Sequence, residues 1–145
     1  MQIITNIQLK EINTTATYAV RHPVLRNGLP IESCAFDFDD APNTMHLGAF
    51  ANDSLVGVLT LISKKQSVQL RGMAVLEKFQ GQGIGKQLIA HAEKVVRQQN
   101  TRNLWMNARL IAVPFYEACG YQKQGETFEL PYGGTHYKMI KNLCD

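Results

Sequence analysis

Cysteine is scarce in this chain: Cys34, Cys119 and Cys144 make an odd set of three, with no CxxC pair and no histidine at metal-ligand spacing. A disulfide framework and a structural metal site are therefore not expected, and a reducing, cytoplasmic setting fits best. Long apolar runs are also missing. None approaches the ~20 residues of a bilayer span, and Asn6, Gln8, Lys10 and Glu11 break the opening stretch where a signal peptide would be greasy. A soluble, unexported protein with no membrane partner is the expectation. Charge of one sign is scarce too: 15 Lys and Arg against 12 Asp and Glu leave a formal net charge of +3. The basic residues are not interleaved with aromatics in a stripe, so no nucleic-acid footprint is present. Internal repeats and low-complexity tracts are absent.

What the chain does have is enough apolar material for one core. Its 145 residues are 45% hydrophobic and 19% charged, which excludes global disorder and predicts one domain over residues 1–145. Charge is unevenly placed: residues 1–62 hold three basic and six acidic side chains, whereas residues 63–145 hold twelve basic and six acidic. That asymmetry suits an anionic ligand on the second part and a cationic one near the first.

Periodicity predicts an edge strand over residues 1–9, then a helix capped by Asn13-Thr14-Thr15 and ended by Pro23. Residues 26–44 are dense in turn formers and read as a long loop, with one helical turn near residues 31–36. Alternation then predicts strands over 46–51, 55–62 and 68–75, joined by short turns as a meander. The second of these is apolar on both faces and so central. Gly72 inside the third marks a bulge or a close backbone approach. Ile84, Leu88, Ile89, Ala92, Val95 and Val96 recur at helical spacing. A strand over 103–108, a short helix over 113–119 with Pro114 in its first turn and Gly120 as its stop, and a closing strand over 135–141 complete the reading.

The most informative stretch is Gln80-Gly81-Gln82-Gly83-Ile84-Gly85, between a strand and a helix N-terminus. Unpaired amides of a first helical turn, the helix dipole and missing Cβ atoms together suit a phosphate. A Walker A loop is excluded because Gln80 and Gln87 stand where glycine and serine or threonine are needed. A dinucleotide fingerprint is excluded because its third glycine falls on Lys86. What remains, Gln80-x-x-Gly83-x-Gly85, resembles the coenzyme A pyrophosphate loop of the GNAT superfamily of N-acetyltransferases. The resemblance extends upstream to Leu70-Arg71-Gly72-Met73-Ala74-Val75 with a four-residue gap, and downstream to Ala112, Phe115, Tyr116, Gly120 and Tyr121.

This resemblance implies a mixed α/β fold, a mostly antiparallel twisted sheet with splayed central strands flanked by helices. It implies acetyl-CoA as co-substrate, no metal, and transfer of the acetyl group to a primary amine by direct attack in a ternary complex. The backbone of Met73, Ala74 and Val75 would bind the pantetheine as an added strand. Gln80, Gly81, Gln82, Gly83, Ile84, Gly85 and Lys86 would hold the pyrophosphate, and Phe115 and Asn107 would contact the cofactor, Asn107 through its amide or an ordered water. Tyr116 matches the tyrosine that many such enzymes use as general acid toward the departing thiolate, whose thiol pKa is near ~8.5; a role in packing alone stays open. For the base, Glu129, His136, His46 and the Asp37/Asp39/Asp40 cluster are candidates, and no spacing selects one. The acidic cluster either favours an ammonium acceptor or is a solvated surface loop, and Arg109 is either a contact for a phosphate or an acidic acceptor group or a solvated loop residue. A small-molecule amine is the expected partner. A protein lysine or N-terminus, or a coenzyme A-binding domain without turnover, are the alternatives. Dimers are common among similar proteins, so a homodimer is a further expectation.

Overall fold

The computed structural model describes residues 6–143. Cys144 and the first residues of the expected edge strand lie outside the described residues. Seven strands form one sheet in the order β1-β2-β3-β4-β5-β7-β6. The first four are β1 (Ile7–Ile12), β2 (Thr44–Ala51), β3 (Ser54–Ser63) and β4 (Ser67–Val75), each antiparallel to the next. This is the expected meander. Asn52 and Asp53 make its tightest turn with φ of +50° and +71°, a conformation that their short polar side chains tolerate and whose twist suits a two-residue hairpin.

Helix α2 (Ile84–Gln98) then crosses over, so β5 (Asn103–Arg109) lies parallel to β4. Helix α3 (Val113–Ala118) leads into β6 (Gln122–Leu130) and β7 (Gly134–Asn142), and β7 inserts between β5 and β6. The sheet is covered on both faces. On one, Ile84, Leu88, Ile89, Ala92 and Val96 of α2 pack on Leu59, Leu61, Leu70, Leu104, Met106 and Met139. On the other, α1 (Thr14–Leu25) sets Val20 against Val58 and Ala74. Each large apolar side chain so buried stabilises the fold by about 1.5–3 kcal/mol. Gly57 lets α2 approach: a Cβ there would lie 3.0 Å from Leu88 Cδ1 and 3.3 Å from Ile84 Cγ2.

The expected helix cap holds, with Asn13 Oδ1 accepting from the Ala16 amide at 2.9 Å, but Pro23 does not end α1. It sits in the last turn, where its missing N–H forfeits one hydrogen bond, and the chain turns away only at Arg26, whose amide donates to the Arg21 and His22 carbonyls. Arg21, fully buried, anchors the loop that follows. Its guanidinium donates to both oxygens of Asp39 (2.7 and 3.0 Å), to the Cys34 carbonyl (2.8 Å) and to Thr60 Oγ1 (2.9 Å), and it stacks on Phe36 at 3.9 Å. Across the sheet, buried Glu93 of α2 accepts from Tyr121 Oη at 2.9 Å and from Lys141 Nζ at 3.1 Å, tying α2 to the end of α3 and to β7.

Asp39→Ala leaves the buried Arg21 charge without its counterion and is expected to cost about 3–5 kcal/mol, read from urea unfolding. The double variant Arg21→Met/Asp39→Leu, which removes both charges, should cost less than Asp39→Ala alone.

Candidate functional site

Pairing between β4 and β5 runs from Ser67↔Asn103 to Leu70↔Met106 and stops there. Both strands continue, β4 to Val75 and β5 to Arg109. Past Leu70, β4 keeps its partners on the β3 side (Thr60↔Arg71, Val58↔Ala74, Gly57↔Val75) and has none on the other. The opening is set by a bulge: Gly72 and Met73 together face Leu59 where the register shifts. Gly72 takes φ +58°, and a Cβ there would fall 2.8 Å from Phe36 Cε2. Glycine is therefore required twice over, for its backbone angle and for the ring laid against it. The freed backbone groups on the β5 side need partners, and an extended amide-bearing ligand supplies them as an added strand does.

Beyond β4 the chain makes a single 3-10 turn at Glu77–Phe79, pinned by buried Phe79, before the glycine loop. Gln80 Nε2 donates to the Val75 carbonyl at 2.9 Å, so this side chain fastens the loop to the strand end. Gly81 and Gly83 have φ of +77° and +82°, and Gly83 caps α2 without a side chain. Backbone amides of residues 81–86 have no partner among the described residues; the first to pair is that of Gln87, with the Gly83 carbonyl at 3.1 Å. A run of free N–H groups at the positive end of a fifteen-residue helix fits a diphosphate. The glycines serve two ends. A Cβ at Gly81 or Gly83 would meet nothing within 4 Å, so these two matter for backbone angle and open approach. At Gly85 it would lie 3.1 Å from Met73 Cε and from Phe115 Cζ, so that glycine admits its neighbours. Lys86 is exposed beside them.

The splay opens into a cavity of about 630 Å³ whose walls include Met73, Asn107, Tyr116 and His136. Tyr116 is buried, its ring edge-on to Phe115 and Tyr121 at centroid distances of 5.2 and 6.0 Å. Among the described residues its hydroxyl finds only Met73 Sδ, at 3.7 Å. Burial, and to a lesser extent the nearby Cys119, push the phenol pKa up, which keeps Tyr116 protonated. A thioether is a weak acceptor, so the donor capacity of this hydroxyl is almost unused.

The base candidates separate clearly. His46 lies in the Arg21 network, with Nδ1 2.7 Å from Thr60 Oγ1 and Nε2 2.9 Å from the Asp39 carbonyl. Asp39 is consumed by Arg21, Asp40 accepts from Thr14 Oγ1 at 2.6 Å, and Glu129 accepts from Thr135 Oγ1 at 2.5 Å. The expectation of an acidic cluster free to attract an ammonium group is therefore corrected: of the three aspartates only Asp37, exposed, borders the cavity. His136 differs from the rest. It is buried, stacked on Phe128, and lines the cavity. Its Nδ1 lies 2.7 Å from the Gly134 carbonyl. A carbonyl only accepts, so Nδ1 donates; in the neutral ring Nε2 is then the nitrogen with the lone pair, and it has no partner among the described residues. Sequence reasoning overlooked Arg26 and Tyr132, which stack at 3.9 Å beside the cavity; Arg109, a candidate there, is half-buried in the cavity wall. A hint was present in Pro131-Tyr132-Gly133-Gly134, a turn carrying an aromatic.

Residues 27–143 match the family model described as acetyltransferase (GNAT) domain. An uncharacterized N-acetyltransferase of Bacillus subtilis, YitI, is 33% identical over 144 residues, covering 94% of this chain and 97% of its own. Among solved structures, a proposed N-acetyltransferase from Lactobacillus plantarum superposes with a TM-score of 0.83 at 22% identity, covering 97% of this chain and all of that one. An aminoglycoside 6'-N-acetyltransferase complexed with coenzyme A gives a TM-score of 0.75 at 15% identity, covering 95% of this chain and 98% of its own.

Gly83→Val places a β-branched residue at φ +82° and is expected to raise the coenzyme A Kd about tenfold or more, as for one lost charge-assisted hydrogen bond. Gly85→Leu collides with Met73 and Phe115 and should lower the melting temperature itself. Titration calorimetry with coenzyme A, run beside thermal melts, separates the two effects.

Proposed function

The chain belongs to the GNAT family of acetyltransferases, and from that premise we propose that it transfers the acetyl group of acetyl-CoA to the primary amine of a small molecule, by direct attack in a ternary complex. The observation that carries this reading is one cavity bordered by an unpaired strand edge, by the Tyr116 hydroxyl with only a thioether beside it, and by the His136 ring, whose Nδ1 is occupied by the Gly134 carbonyl and whose Nε2 is not. Acetyl-CoA, when bound, supplies an activated thioester carbonyl. Everything else falls to the protein.

The free β4 edge at Met73–Val75 orients the donor's amide-bearing arm, and the amides of residues 81–86 hold its diphosphate. Phe115 and Asn107 flank the same opening. An amine enters the reaction only as the neutral base, and His136 Nε2 takes up the proton that the nitrogen must lose. The Gly134 carbonyl stabilises the resulting imidazolium by keeping its Nδ1–H satisfied. Tyr116 delivers a proton to the departing sulfur. Burial disfavours the phenolate this leaves, so Tyr116 is reprotonated from solvent once the thiol has left, while His136 returns to solvent the proton it took from the amine, and neither side chain is changed over the cycle. The cavity, at about 630 Å³ and walled by the loop after α1 and the β6–β7 turn, is of metabolite size, which favours a small acceptor over a polypeptide.

Tyr116→Phe should lower kcat by about 10²–10⁴-fold with acetyl-CoA affinity unchanged and no loss of melting temperature, because the hydroxyl has only a thioether to lose. His136→Asn, whose amide retains a donor toward Gly134 while deleting Nε2, should lower kcat over the same ~10²–10⁴ range. Thiol release from acetyl-CoA, measured with panels of amines and peptides, tests the whole reading. Binding without release would identify a coenzyme A sensor, and release with peptides alone a protein acetyltransferase.

A further inference from the structure

Three guanidinium groups border the cavity, each from a different element: Arg26 just after α1, Arg71 on β4 and Arg109 on β5. None has a carboxylate of the described residues within 4.0 Å. The ion pairs among the described residues are Arg21–Asp39, Arg97–Glu93 and Lys141–Glu93. The three arginines are instead held in place by neutral groups. Arg26 donates through Nε to the Ser33 carbonyl at 3.1 Å and through Nη1 to the Leu25 carbonyl at 3.0 Å, with its plane on Tyr132. Arg71 donates to the Asp37 carbonyl at 3.2 Å. Arg109 makes no side-chain hydrogen bond among the described residues, yet its position is built for: Gly133, at φ +83°, would place a Cβ 2.5 Å from Arg109 Nε. Only a residue without a side chain lets that guanidinium lie there.

The acids of the cavity wall do not balance this set. They are Glu32 and Asp37, both exposed, whereas Arg26 is buried and Arg71 and Arg109 are half-buried. Water screens the negative charges more than the positive ones. Like charges feel each other here: burial, and next the Arg109 charge, hold the Arg26 guanidinium below its usual value. Unpaired guanidinium groups converging in a cavity, at the cost of mutual repulsion, are relieved by an oxyanion that accepts from two or more of their N–H groups.

We propose that the acceptor is an amine that also bears an oxyanion, carboxylate or phosphate, and that Arg109, flanked by Arg26 and Arg71, is its specificity-determining contact. This rests on the acetyl-transfer reading. His136 and Tyr116 border the same cavity, so the anion fixes the amine's position relative to them. The test is thiol release from acetyl-CoA by the wild-type protein on matched pairs: amino acids against their carboxamides, and phosphoethanolamine against ethanolamine. An acidic member should exceed its neutral partner in kcat/KM by about tenfold or more, the range of one to two charge-assisted hydrogen bonds; which pair does so tells carboxylate from phosphate. Arg109→Gln, which loses no internal hydrogen bond, should collapse that ratio through KM and leave the coenzyme A Kd unchanged, and Arg109→Lys should restore part of it. Neutral members used equally well, or a ratio indifferent to Arg109→Gln, overturns the proposal while acetyl transfer stands. If no amine or peptide releases thiol, the acetyl-transfer reading fails instead. Thermal shifts of the coenzyme A complex then decide the anion site: stabilisation by the acidic probes alone, lost in Arg109→Gln, upholds it, and equal or no stabilisation by both members of each pair overturns it.

Discussion

The molecule depends on hydrogen bonds that two neighbouring strands do not make with each other. A parallel pair as long as β4 and β5 would ordinarily zip to the end of the shorter strand, and here it stops after Leu70↔Met106. The Gly72 bulge turns β4 away, the crossover through α2 leaves room, and the cost of unpaired backbone is accepted along one short edge. Glycine loop, aromatic helix and cavity are all arranged around that edge. The chain thus carries a local defect in an otherwise continuous sheet, and the defect is where the proposed donor would complete the ladder.

A second constraint acts on the approach to this edge. Burying Arg21 demands a counterion, and Asp39 supplies it only if residues 31–40 fold over α1. The same contact presses Phe36 onto Arg21 and against the bulge glycine. One ion pair therefore converts a polar, turn-rich segment into a wall of the cavity. It also redistributes charge. An acidic part over residues 1–62 and a basic remainder suggest sites for a cationic and an anionic ligand, yet folding spends the central carboxylate internally and leaves arginines from both parts facing the opening.

Much of the architecture was legible because it follows from short-range chemistry. The α2 stripe, the doubly apolar β3, the Asn52-Asp53 turn and the interior Gly72 each have one physical explanation, and each sits where that explanation requires. Strand β6 was not legible. Its sequence, Gln-Lys-Gln-Gly-Glu-Thr-Phe-Glu-Leu, lies mostly exposed at the sheet edge with an irregularity between Gln124 and Phe128, so no apolar alternation announces it. Pro23 misled because a proline in a last turn forfeits little. The glycine loop was readable as a spacing. The choice among base candidates was not, since what distinguishes His136 from His46 is which carbonyl or hydroxyl folds against each ring.

The bond from Gln80 Nε2 to the Val75 carbonyl joins the end of one binding element to the start of another. That clasp sets the spacing between the run of free amides and the open strand edge. On the proposed reading it would work as a ruler: a guest would be graded by the distance between its charged head and its reactive tail, and a molecule of the right groups but the wrong length would meet only half of it.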